Sequence, residues 1–249
     1  QKALGYAMER VQGKTADGSK TIIGHADVRR MLLRMRTLTD AARAICLDTA
    51  LSLDMAKAAD GAEGKAWKAR GAFLTPIAKA FGTDVGNEVA YLGVQVHGGM
   101  GFIEEAGAAQ YSRDVRVTAI YEGTNGVQAM DLIGRKLGDG GAAARALMEE
   151  IRAAGAGARG DLAPLGEQLA IAADALEAAT DWMLAAEPND RAAGAVDYLR
   201  AWALLLGGAY LLRGAGVEGP EAARRAGLAR YYFGRELVLV AGLAEAATE

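Results

Sequence analysis

Residues 119–137 read AIYEGTNGVQAMDLIGRKL, and in them one carboxylate, Glu122, follows Ile120 and Tyr121 and precedes Gly-Thr. Two chemistries suit a glutamate in that place. At a helix start its charge meets the positive end of the helix dipole, a role that needs only water around it. Beside apolar side chains, loss of water would raise its proton affinity and make it a base able to act near neutral pH. Spacing alone leaves both readings open.

A second candidate is QVHGGMGF, residues 95–102. The adjacent Gly98 and Gly99 can let a backbone approach a ligand closely and turn amide N–H groups toward a phosphate. The same pair suits the end of a helix, where glycine accepts a left-handed conformation. His97 has no second histidine or cysteine nearby in sequence to build a metal site, so it reads as a capping or packing residue and no metal is expected. Cys46 falls on or near the apolar stripe of its helix and reads as a small buried hydrophobe. The basic clusters VRRML and AARRAG read as solvated helix faces. Walker A, G-x-S-x-G and H-E-x-x-H patterns are absent.

Whole-chain properties narrow the classes. A net charge of -3 over 249 residues leaves no basic field to hold nucleic acid. The single cysteine forbids an intrachain disulfide, which fits a reducing compartment and a cytoplasmic location. The longest apolar run, AWALLLGGAYLL at 201–212, is shorter than the roughly 20 residues of a membrane span, so no membrane span is expected. The Gln1 start suggests a processed protein or an excised fragment, and no signal peptide opens it.

The elements that must position these residues are helices. Aromatics make up only 6% of the chain, alanine is abundant, and period-2 alternation is hard to find, so the fold class is all-α. LGYAMERVQGK reads as a helix tail, TADGSKTIIG as a loop, and Asp27 as the cap of the next helix. From Val28 to Leu53 apolar residues fall three or four apart, predicting one long helix that DGAEGK at 60–65 breaks. A second long helix is expected after Pro76, ending at Gly98-Gly99, and another near Thr124. Residues 1–137 thus form an antiparallel bundle. The glycine-rich stretch 138–160 reads as a linker, and 161–249 as a smaller helical domain with helices near 164–186, 189–213 and 220–246.

Taken in order, ALGYAMERVQGK and YLGVQVHGGMGFIEEAGAAQYSRDVRVTAIYEGTNGVQ closely resemble the C-terminal helical domain of the acyl-CoA dehydrogenases. The resemblance covers about residues 1–137, and the extension after it resembles that of the longer bacterial members. It implies two upstream domains, FAD held between them and this one, and an acyl-CoA thioester packed against the flavin. It implies that Glu122 removes the proton α to the carbonyl while the β-hydride passes to FAD, with the Glu122 N–H facing the thioester oxygen and Tyr121 and Gly123 beside the substrate. By the same resemblance Arg10 reaches the flavin diphosphate of a neighbouring subunit, and Gln95, Gly98 and Gly99 line its adenine-diphosphate path. Thr124 contacts the bound subunit's own FAD. Shared cofactor sites imply a homodimer or homotetramer, and the family's electrons pass to an acceptor such as an electron-transfer flavoprotein.

The chain departs from the family pattern at three places. Gly13 follows Gln12 directly, KTADGSK is inserted after it, and Gly126 stands where many members carry glutamine. Two alternatives stay beside the dehydrogenase reading: an acyl-CoA oxidase of the same fold, and a helical interaction module without catalysis.

Overall fold

The computed structural model describes residues 1–249, and every regular element in it is helical. In chain order the helices are α1 (Lys2–Glu9), α2 (Ala26–Ala58), α3 (Gly61–His97), α4 (Gly99–Phe102), α5 (Ala108–Arg116) and α6 (Asn125–Asp131). Five more follow: α7 (Ala142–Ala156), α8 (Ala163–Ala185), α9 (Pro188–Ala215), α10 (Ala222–Tyr232) and α11 (Leu239–Ala246). Widened π turns extend α6 through Leu132–Lys136 and α10 through Phe233–Leu237.

Packing divides the chain into two compact units, and the dividing lines run through the long helices. The first unit comprises 1–39 and 83–121, the second 40–82 and 122–249. At 33 and 37 residues, α2 and α3 are each long enough to serve both.

In the first unit Ala3, Ala7, Ile22, Met31 and Val96 form a buried cluster, flanked by Tyr6, Val28, Leu32, Met35 and Leu92. The alanines let α1 lie close to its neighbours, while the larger side chains fill the remaining volume. Arg34 and Glu88 pair within this unit, joining α2 to α3.

In the second unit the core is built on α9. Trp202 is fully buried and meets Phe73 edge-on, ring centroids 5.0 Å apart, with Tyr198 in a second edge contact. Buried hydroxyls find partners: Tyr198 and Thr180 share a bond of 2.9 Å, and Tyr232 donates to the Leu204 carbonyl at 3.0 Å. The backbones of α7 and α8 approach so closely that a Cβ on Gly166 would stand 2.3 Å from the carbonyl oxygen of Gly155.

The first long helix and the C-terminal helices lie where their patterns put them, and four local expectations are corrected. Asp27 sits inside the first turn of α2 rather than capping it, and pairs with Arg30 three residues on. Pro76 does not start the second long helix but lies within it. Burial of Phe73, Leu74, Ile77 and Phe81 around it outweighs the one backbone bond a proline removes. The supposed linker contains the 15-residue α7. Its alanine run favours helix, and Asp139 accepts from the first N–H groups, of Gly141, Ala142 and Ala143, at 2.8–3.0 Å. Cys46 is exposed. Ile45 and Thr49 carry the buried stripe, and a step of one residue turns the side chain about 100° away from it.

One helix, α9, is long and apolar enough to cross a membrane, with a mean hydropathy of 1.2 in its most apolar window. That window is 72% buried inside the protein, the environment of a core helix.

Candidate active site

The Glu122 loop belongs to the second unit and enters α6. Thr124 caps that helix, its hydroxyl accepting from the Val127 N–H at 3.4 Å. Just before the cap the chain makes an uncommon turn. Glu122 has φ +56° and Gly123 φ +82°, and Glu122 is the sole non-glycine residue with positive φ in the chain. For an L-residue that conformation costs about 1–2 kcal/mol, because Cβ crowds the following carbonyl.

Side chains hold the turn in this shape. Gln128 Nε2 donates to the Glu122 carbonyl at 3.2 Å. Lys79 Nζ, reaching from α3, donates to the Gly123 carbonyl and to Asn125 Oδ1, both at 2.8 Å. Asn125 in turn donates through Nδ2 to the Ala80 carbonyl at 3.2 Å. A hydrogen bond to a charged group contributes about 1.5–3 kcal/mol, so the lysine bond alone is of the size needed to offset the backbone strain. The result is a fixed loop that carries one outward carboxylate. Glu122 is exposed, so the apolar wall expected around it is not supplied by its own loop. Gly123 is partly buried, with Val127 and Gln128 pressed against the space a side chain there would need.

The remaining sequence candidates lie in the first unit. Tyr121, its last residue, is 54% exposed, and Ile120 before it is 50% exposed. Arg10 ends α1 in extended geometry. Its N–H donates to Tyr6 O at 2.9 Å and its carbonyl accepts from the Ile22 N–H at 2.8 Å, so the backbone is fixed while the side chain is exposed. Gln95, Gly98 and Gly99 are exposed at the end of α3. Gly98, at φ +59° and ψ -139°, occupies a region in practice reserved for glycine, and open space surrounds both glycines. His97 is buried; its Nδ1 donates to the Gly93 carbonyl at 2.6 Å and its ring stacks on Tyr6 at 4.3 Å. It is the packing histidine the sequence suggested. The stack fastens the helix that carries Arg10 to the end of α3 that carries Gln95 and the glycines.

Within the first unit, therefore, a guanidinium, an amide and one short stretch of bare backbone, Gly98-Gly99, stand exposed, and a guanidinium is a group suited to a diphosphate. Within the second, Glu122, Gly123 and Thr124 form one rigid turn. Sequence reasoning missed Lys79, Asn125 and Gln128. Nothing local marks Lys79, which lies 44 residues from the carbonyl it binds.

Comparison with known proteins identifies the family of the chain. The family described as "Acyl-CoA dehydrogenase, C-terminal domain" matches residues 1–138, and "Acetyl-CoA dehydrogenase C-terminal like" matches 147–249. A 3-methylmercaptopropionyl-CoA dehydrogenase of Ruegeria pomeroyi is 46% identical over 210 residues, which are 80% of this chain and 36% of that protein. A butyryl-CoA dehydrogenase of Syntrophomonas wolfei is 38% identical over 140 residues, covering 54% of this chain and 23% of that one. The fold matches that of a Bacillus anthracis acyl-CoA dehydrogenase complexed with FAD, with a TM-score of 0.75 at 20% identity, over 99% of this chain and 46% of that one. The chain thus spans about a third or less of the length of these two sequence relatives. It belongs to the acyl-CoA dehydrogenase family, as the C-terminal helical part.

Proposed function

We propose that this chain is the part of an FAD-dependent acyl-CoA dehydrogenase that supplies the catalytic base, with Glu122 taking the α-proton of an acyl-CoA thioester to give the 2-enoyl-CoA. The observation that carries the proposal is the conformation of Glu122: an L-residue kept in the left-handed region, exposed, on a loop whose carbonyls are pinned by side chains. Strain of this kind persists where the surroundings over-determine it, and it collects at functional sites. A helix-start charge needs no such arrangement.

The work of the residues follows from their chemistry. Glu122 accepts the proton, and an acyl chain seated over it displaces water and sharpens it as a base. The Glu122 N–H donates to the thioester oxygen as carbanion character develops. Tyr121 and Gly123 flank the substrate. Arg10 would hold the diphosphate of FAD, Gln95, Gly98 and Gly99 its adenine-diphosphate path, and Thr124 the flavin. When bound, FAD takes up the β-hydrogen with its electron pair. The Arg10 set serving a neighbouring subunit makes the enzyme a homodimer or homotetramer, and an electron-transfer flavoprotein is the expected electron acceptor.

The test is Glu122→Gln in the full-length enzyme. The amide keeps size and backbone N–H, so FAD and acyl-CoA should bind, while flavin reduction at saturating substrate should slow at least about 10²-fold. An unchanged stopped-flow trace would overturn the assignment.

A further inference from the structure

We propose that Lys79 is a positioning residue for the reaction, holding the Glu122 base in its left-handed conformation through the Gly123 carbonyl; this rests on the reading of Glu122 as the base. Lys79 stands on α3, and on both sides of it the helix is sunk in the core, Ile77 at 0%, Ala80 at 1% and Phe81 at 0% exposure. Its backbone is therefore among the most firmly placed in the second unit. From there the ammonium spans two oxygens of the loop, Gly123 O and Asn125 Oδ1, each at 2.8 Å. Asn125 closes the circuit by donating to Ala80 O, one residue along the same helix.

The circuit has a geometric purpose. Two successive positive φ values put Glu122 at the outside of a tight turn, and such a turn relaxes by rotating the peptide that follows the strained residue. Lys79 binds the carbonyl one peptide further on, and Gln128 binds the Glu122 carbonyl itself, so neither peptide can rotate without breaking a bond. A base for a carbon acid must meet its proton in a narrow range of positions, and a displacement of about 1 Å can cost 10²-fold in rate. A lysine that reaches the base only through the Gly123 carbonyl and Asn125 is thereby tied to the rate of proton removal.

The experiment uses the FAD-loaded full-length enzyme, with Lys79→Met keeping the aliphatic stem and removing every donor. The expected result is flavin reduction slowed at least 10-fold, substrate dissociation constant within threefold, and an increased isotope effect with α-deuterated substrate. In a Glu122→Gln background Lys79→Met should add no further slowing, because the group it positions is already gone. If Lys79→Met does not retain FAD, Lys79→Leu, which is apolar and likewise has no donor, is read by the same criteria. Reduction at the parent rate in either variant, or a lowered melting temperature with an unchanged rate, overturns the inference. If Glu122→Gln alone reduces normally, the base assignment fails, a result distinct from failure of Lys79 alone.

Discussion

The ring of Tyr6 lies over the imidazole of His97, centroids 4.3 Å apart and planes 28° from parallel. A buried histidine next to two exposed glycines thus serves as a fastener, locking one end of α3 against α1. Stacked aromatic pairs contribute about 0.5–1.5 kcal/mol beyond area burial, enough to matter for a helix of only eight residues.

Tyr6→Ala should therefore loosen α1 and, with it, Arg10. In the full-length enzyme the expected outcome is weaker retention of FAD on dilution, read from flavin absorbance in the protein fraction. FAD-saturated variant should still reduce its flavin near the parent rate, since the Glu122 turn belongs to the other unit. Loss of reduction with retained FAD would show that the stack does not act through Arg10.

The strain at Glu122 makes a prediction about stability that is independent of catalysis. Glycine takes φ +56° without the Cβ clash, whereas alanine retains it. Glu122→Gly should be more stable than Glu122→Ala by about 1 kcal/mol, and neither should catalyse dehydrogenation. Urea unfolding of both variants measures the difference; alanine proving the more stable would mean the turn is not left-handed in solution.

Alkaline pH should unfold the second unit through its buried tyrosines. Burial pushes the Tyr198 hydroxyl from 10.0 up to about 12, opposed in part by its bond to Thr180. Burial also raises Tyr210 and Tyr232 well above the ordinary tyrosine range, helped by the carboxylate of Asp48 beside Tyr210 and that of Glu236 near Tyr232. Each keeps its proton to higher pH folded than unfolded, so its contribution is complete below pH 10 and is lost as pH climbs toward the folded value. For Tyr198 the window is pH 10 to about 12. The urea midpoint should hold steady up to pH 10 and then fall, with tyrosinate absorbance rising in the same transition; a midpoint constant to pH 12 would contradict this.

The sequence carried the helices because their signals are local. Thr124 with Asn125 and Gly126 marks a helix start by composition, and Val28 to Leu53 marks a long stripe by spacing alone. Pro76 and the 138–160 stretch misled for complementary reasons. A proline's cost is local, but the burial that overrides it comes from residues brought up by the fold, and glycines at 138, 140 and 141 hid an alanine helix whose first N–H groups are bound by Asp139, which sits among them. The site was legible as a list of residues and not as a geometry. Glu122, Arg10 and Gly98 stood out by motif, whereas the reach of Lys79 to Gly123 exists only once α3 and α6 have packed.

The crossing of α7 and α8 has a consequence for how this chain tolerates mutation. A Cβ at Gly155 would stand 2.9 Å from Gly166 O, and one at Gly166 2.3 Å from Gly155 O, so every substitution at either position forces two backbones apart. These glycines have no part in the chemistry, yet their codons should resist change as firmly as that of Glu122. In a library of single substitutions selected for growth, depletion at 155 and 166 would match depletion at 122. The two causes separate by protein abundance: variants at the crossing vanish from the soluble pool, whereas Glu122 variants accumulate and do nothing.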